Sequence, residues 1–340
     1  MPFSHRHHHF PELGGKILLD RLIAPSYVLR RCEIGGFLHD ERLSARALGY
    51  GTKSDRARLV VMLEGRGEFT AGEQAVELGP GDALLVSSLD TLTQRGETAV
   101  QLELDWDPGG ALGGAAETGS TRFRLGNAER SAMAALASAL SRSQRHELYE
   151  PRPVIGGMNP PAGAIASIYE PRPVIGGMNP PAGAIASLYA FKTATNAALG
   201  ALRALGLPLE PETWEEPLLA EDPSDQAWSS AIDAALSDLA GGPASADLER
   251  RVAKSRSTVF RRSREFHGKF GLTGLSGPEW RSVRDFYRLL VGTIVMGHPD
   301  AGTREVAGLL GYRSAEAFCH AFANAGLPSP GRVRESVRQL

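Results

Sequence analysis

Two short helical stripes on either side of Gly311 constrain this chain more than any other feature. In the run Thr303-Arg304-Glu305-Val306-Ala307-Gly308-Leu309-Leu310, the apolar Val306, Ala307 and Leu310 recur at helical spacing. Gly311 then offers the left-handed residue that ends a helix without a Cβ penalty. Ser314 follows as a cap for a second helix, on which Phe318 and Phe322 lie one turn apart on the same side. Two short helices joined by a glycine turn predict a helix-turn-helix.

Charge supports that reading. Residues 244–340 hold 16 Lys and Arg against 9 Asp and Glu, a surplus of +7 inside a chain whose net charge is −2. A basic block joined to an acidic body fits a nucleic-acid-binding module, and it equally fits a solvated charged face. The two cysteines, Cys32 and Cys319, give no disulfide framework. The start of the sequence lacks the apolar stretch of a signal peptide, and no apolar run reaches the ~18 residues a membrane span needs. A soluble, cytoplasmic protein without membrane contact is the expectation.

Residues 14–107 read as β-rich. Leu59-Val60-Val61-Met62-Leu63 and Ala83-Leu84-Leu85-Val86 are short apolar runs set off by the turn signals Glu64-Gly65-Arg66-Gly67 and Leu78-Gly79-Pro80-Gly81-Asp82. A hairpin is expected around Ala71-Gly72-Glu73, and residues 99–104 alternate apolar and polar with period two. Strands at this spacing predict a sandwich or barrel. The G-x-G turn followed by the L-x-x-G-D turn resembles the cupin barrels. Metal-dependent cupins add a His-x-His pair with a downstream Glu and His, whereas residues 40–110 contain no histidine. The resemblance therefore implies a dry or ligand-holding barrel, with no metal site and no catalytic residue.

Residues 108–120 form a glycine-rich connector. Helices are expected over 127–143, 187–205 and 226–239, serving either as core or as a dimer surface. Between the first two, residues 149–168 recur as 169–188, differing only in the last residue, Ile168 against Leu188. Two copies are too few for a solenoid, so the duplication reads as an inserted surface loop. Each copy places an arginine between prolines, Arg152 and Arg172, which an anionic ligand could engage. At the other end, His5, His7, His8 and His9 form a tract of a kind that binds metal, but a disordered segment over 1–13 is the expectation there.

The stretch from Val306 to Phe322 resembles the second helix-turn-helix of the AraC/XylS family, I-A-x-x-x-G-F/Y-x-S-x-x-x-F-x-x-x-F. The family continues G-x-S/T-P, and this chain reads Gly326-Leu327-Pro328-Ser329-Pro330, one residue longer. A first unit fits less closely upstream. Leu248 and Val252 supply its inner stripe and Ser255 its cap, but Glu249 stands where the family has a small alanine and Ala253 replaces the turn glycine. One helix over 279–296, about 27 Å long, would connect the two units.

What the resemblance implies is an α+β multidomain protein. Its parts are a tail over 1–13, a cupin-like sensor barrel over 14–107, a helical linker and dimerisation region over 108–243, and a double helix-turn-helix over 244–340. It would act as a transcriptional regulator, either activator or repressor. Double-stranded DNA, a second copy of the chain, RNA polymerase and an unidentified small-molecule effector would be its partners, with no cofactor. Position on the reading helices assigns base edges to Ser257, Phe260 and Arg261 in the first unit, and to Ala315, Glu316, Cys319 and His320 in the second. Ser255, Arg256, Arg262, Arg264, Arg313 and Ser314 are assigned to phosphate contacts and capping. The alternative is a cupin-type enzyme or binding module whose helical tail is not used for DNA.

Overall fold

A computed structural model describes residues 3–23, 27–37, 57–71, 74–86, 92–95, 98–106, 120–142, 182–204, 223–241, 245–270 and 279–339. The strands are β1 (Phe3–Phe10), β2 (Gly15–Ile23), β3 (Tyr27–Gly35), β4 (Ala57–Gly65), β5 (Gly67–Ala71), β6 (Gln74–Leu78), β7 (Asp82–Val86), β8 (Leu92–Arg95), β9 (Thr98–Trp106) and β10 (Ser120–Arg124). Helices α1 (Asn127–Arg142), α2 (Ala182–Ala204) and α3 (Pro223–Leu236) follow. The basic region supplies α4 (Ser245–Val252), α5 (Arg256–Lys269), α6 (Trp280–Val295), α7 (Thr303–Leu309), α8 (Ala315–Asn324) and α9 (Pro330–Gln339). The class is α+β.

Seven strands pair antiparallel in the order β1-β2-β3-β9-β4-β7-β10, and a second sheet runs β6-β5-β8. Period-two alternation gives the large sheet two faces with different tasks. On one, Phe3, Leu22, Leu29, Leu59, Val61, Leu102 and Leu104 meet Met133, Leu136 and Leu140 of α1 and Phe191 and Leu202 of α2. On the other, Val60, Met62, Leu84 and Val86 meet Phe69 and Leu78 of the small sheet. Further along that second face, Phe10, Ile17, Leu19, Val28, Cys32 and Ile34 share one core with α3 through α9. The sheet is thus buried on both sides, which explains why β4 and β7 read as continuous apolar runs.

A buried ion cluster lies on the second face, carried by β3, β4 and β9. Arg58 Nε donates to Asp105 Oδ1 at 2.6 Å, Arg30 Nη2 lies 2.8 Å from Glu103 Oε2 as an ion pair, and Arg30 also reaches Asp105. Gln101 Nε2 donates to Glu103 Oε1 at 2.7 Å. Two cations balance two anions, so the desolvation of each is offset by its partners.

The N-terminal tract differs from expectation. It is not a disordered tail but the edge strand β1, paired with β2 from Phe3↔Leu22 to Phe10↔Gly15. Its even-numbered side chains explain the order. Ser4 Oγ and Arg6 Nε donate to Asp233 of α3 at 2.9 and 3.0 Å, and His8 Nε2 lies 2.8 Å from the Tyr287 hydroxyl of α6. Burial, and after it the Arg6 charge, pushes His8 down to about 4, while burial pushes Tyr287 up to about 12, so both are neutral where they meet.

Other boundaries shift as well. The sheet extends beyond 14–107 at both ends, because β1 precedes that span and β10 follows it, closing against β7. Helix α2 begins at Ala182, inside the second copy of the duplication. The remainder of the two copies, with Arg152 and Arg172, lies outside the described residues. Among the described residues no helix is long and apolar enough to cross a membrane.

Asp105→Ala should lower stability by about 3–5 kcal/mol in urea denaturation, because it strands two buried guanidinium groups. Arg66→Ala, in a pair whose side chains are 79% and 70% exposed, should change it by under about 1 kcal/mol.

Candidate nucleic-acid interface

Helices α4 and α5 meet at a turn closed in a specific way. The Lys254 amide donates to the Glu249 carbonyl at 3.3 Å, and Ala253 between them takes φ +49°. Helices α7 and α8 meet the same way: the Tyr312 amide donates to the Ala307 carbonyl at 2.8 Å, Gly311 to Gly308 at 2.9 Å, and Gly311 has φ +71°. Both are left-handed helix terminations with a six-to-one closure. Alanine therefore adopts, in the first turn, the strained conformation that glycine adopts freely in the second.

Helix α6 joins the two units. It covers 16 residues, about 24 Å of axis, with Glu279 and Met296 as the residues flanking it. Twelve of its residues are buried. Two of its side-chain positions seat the second unit. Arg288, itself buried, donates from Nε to the Leu310 carbonyl at 2.6 Å and stacks its guanidinium 4.0 Å from the Tyr312 ring centre. This satisfies a carbonyl at the end of α7 that the helix leaves open. At Gly292, an added Cβ would fall 3.1 Å from both Leu310 and Phe318, so α7 and α8 rest against bare backbone. Phe318 and Phe322 stack edge to face at 4.7 Å beneath α8.

What remains outside this core is the candidate interface. On α5, Arg256, Ser257, Arg261, Arg262 and Arg264 are exposed, and Phe260 is 53% exposed, the one large apolar side chain left open among the described residues. Arg261 and Arg262 lie 3.4 and 3.6 Å from the Glu265 carboxylate, exposed pairs that cost little to break. On α8, Glu316 and His320 are exposed, Ala315 and Cys319 half-buried. Arg313, Ser255 and Ser314 are exposed at the turns. Every base-edge and phosphate assignment made from the sequence in 244–340 thus falls on solvent-facing or partly open surface, while Val259, Phe266, Phe318 and Phe322 face inward.

The two caps differ. Ser314 Oγ accepts the Ala317 amide at 3.2 Å, whereas Ser255 has the extended backbone of a cap but turns its hydroxyl to Ser257 and Thr258 instead. A hydrogen bond from Ser314, with help from Arg304, holds the Glu316 carboxyl below its ordinary value, so it is an anion able to accept but not donate. The sequence pattern alone does not reveal the anchoring roles of Arg288 and Gly292. Its only signals for them are the third of three arginines on α6 and a single glycine within an apolar run.

No protein-family model matches the chain, and no curated protein matches it. Among solved structures, ToxT from Vibrio cholerae with a bound unsaturated fatty acid is similar at 10% identity over 94% of this chain and 98% of that one, with a TM-score of 0.31. A glyoxylate-induced protein from Pseudomonas aeruginosa gives 9% identity, 35% and 44% coverage and a TM-score of 0.26. Oxalate decarboxylase from Bacillus subtilis gives 14% identity, 32% and 28% coverage and a TM-score of 0.23. Likenesses this weak carry no functional conclusion.

Replacing Ala253 by glycine should raise the stability of the chain by about 1 kcal/mol, since it removes the left-handed penalty. Gly311→Ala should lower it by about 1–2 kcal/mol. Thermal melts of the two variants check both signs.

Proposed function

We propose that the chain is a sequence-specific DNA-binding transcriptional regulator that reads two stretches of major groove with α5 and α8. The carrying observation is the pair of helix-turn-helix units, each closed by a left-handed residue and a six-to-one bond, on one buried helix, α6, with their second helices turned to solvent. Arg256, Arg262 and Arg264 on α5, with Arg313 before α8, supply the phosphate attraction expected of the +7 segment. The motif from Val306 to Phe322 supports the AraC-type reading of this half.

Arg261 and Ser257 are assigned to base edges with Phe260 packing against a thymine methyl, and Arg256, Arg262, Arg264 and Arg313 to phosphates. In the second unit Glu316 would accept from a cytosine amine, and Ala315, Cys319 and His320 complete the reading edge. A small-molecule effector is supported by a cleft of about 640 Å³ between α1 and the large sheet, lined by Arg31, Val61, Leu63, Arg130 and Ser138 among others. That volume suits a metabolite-sized ligand. Pairing of two chains, contact with RNA polymerase and a cytoplasmic location belong to the same proposal.

The test uses the full chain, because the core of 244–340 is shared with α3 and the sheet. In fluorescence anisotropy with duplex DNA, log K should fall linearly with log salt. Arg261→Ala should cost about 1–3 kcal/mol and relax preference at one base pair. Arg262→Ala should weaken all sequences alike and shallow the salt slope by about one. Absence of binding at micromolar protein in low salt overturns the proposal; equal weakening of every sequence by Arg261→Ala overturns the placement of α5.

A further inference from the structure

We propose that His5, His7 and Asp20 form a binding site for a divalent transition-metal ion of the zinc, cobalt and nickel class, on the edge of the large sheet. The strand geometry brings the three together. Residues two apart on β1 point to the same side, so His5 and His7 share one face. The register sets Asp20 of β2 directly across from His5. His5 Nδ1 and His7 Nε2 lie 2.8 and 2.7 Å from the same oxygen, Asp20 Oδ1, and all three ligand atoms fall within 4.8 Å of one another.

The donor set suits that class of ion. Two imidazoles and a carboxylate favour first-row transition metals over calcium or magnesium, which prefer oxygen alone. Ligands about 2.05 Å from an ion stand about 2.9 Å apart at right angles and about 3.3 Å apart in a tetrahedron, so the two nitrogen–oxygen separations, 2.8 and 2.7 Å without an ion, would widen by roughly 0.1–0.6 Å to admit one. To bind the ion, His5 would present the Nδ1 lone pair and carry its proton on Nε2, and His7 would present the Nε2 lone pair and carry its proton on Nδ1; any second proton on either ring would leave to solvent. Three protein ligands leave further positions for water or another ligand.

A supporting shell is in place. Ser141 Oγ of α1 donates to Asp20 Oδ2 at 2.8 Å, and Arg31 Nη1 lies 3.4 Å from the same oxygen. The Arg31 charge opposes a cation there, but Glu33 pairs with Arg31 at 2.7 Å and also with Lys16. Asp20 is 1% exposed and His7 36%, so the carboxylate is held while one ligand stays open to solvent as an entry path. His9 lies on the same side of β1 but opposite Lys16, outside the cluster. The opposite side of this strand carries Ser4, Arg6 and His8 against α3 and α6, so an ion fixing β1 would act on the segment that abuts the connecting helix. That consequence rests on the regulator reading; the site itself does not.

Titration of the full-length, chelator-stripped protein with Co(II), followed by its visible ligand-field bands, and with Zn(II) by calorimetry, tests the proposal without DNA. One equivalent per chain is expected, with binding weakened at least 100-fold by His7→Ala, about 10–100-fold by Ser141→Ala, and unchanged by His9→Ala. His7→Ala removes a part-exposed ring, so circular dichroism should show a folded variant even if Asp20→Asn fails to fold. Absence of stoichiometric binding at tens of micromolar overturns the site. So does equal weakening by His9→Ala and His7→Ala, which marks adventitious binding to a His-rich strand.

Discussion

The carboxylate of Asp233 holds the molecule together across its two kinds of architecture. It is 1% exposed on α3 and accepts from the Ser4 hydroxyl, the His5 amide at 2.8 Å and Arg6 Nε. A buried carboxylate is costly unless donors converge on it, and here they come from one short strand. Arg6 then extends 4.4 Å above the Tyr287 ring, and His8 meets the Tyr287 hydroxyl. The edge strand of the sheet is therefore fastened to the helix that joins the two helix-turn-helix units.

Sheet residues and α3 through α9 share a single apolar core. The spacing of α5 and α8 is consequently fixed from two sides. Arg288 and Gly292 seat α7 and α8 on one side of α6, and β1 abuts the other through Tyr287. Under the regulator reading, any ligand or ion that moves β1 acts on α6 directly, with no intervening chain of contacts.

Much of the helical half was legible in the sequence because each signal was local. The left-handed turn at Gly311, the Ser314 cap and the Phe318–Phe322 pair depend only on neighbours within a few residues, and all appear where the pattern places them. The hairpin of β5 and β6 around residues 72–73 was legible for the same reason. Ala253 departs from the family glycine. Its positive φ shows that the turn geometry is imposed by packing rather than by the residue's own preference. The order of β1 was not legible. Between Phe3 and Phe10, which are buried in the two cores, the histidine-rich tract has no apolar side chain, and what orders it is Asp20, Asp233 and Tyr287, which are 13 to 279 positions distant. Period-two alternation of His5 and His7 was the one local hint.

Hydrogen exchange of the α6 amides in the full-length chain, wild type against Arg6→Ala, tests the coupling between sheet and connecting helix most directly. Arg6→Ala leaves Asp233 its donors from Ser4 and His5 but removes the cation above Tyr287. Protection of residues 280–295 should fall together with that of residues 3–10. Loss of protection in β1 with α6 unchanged would show that the sheet and the helix-turn-helix units are joined without sharing stability, contradicting this account.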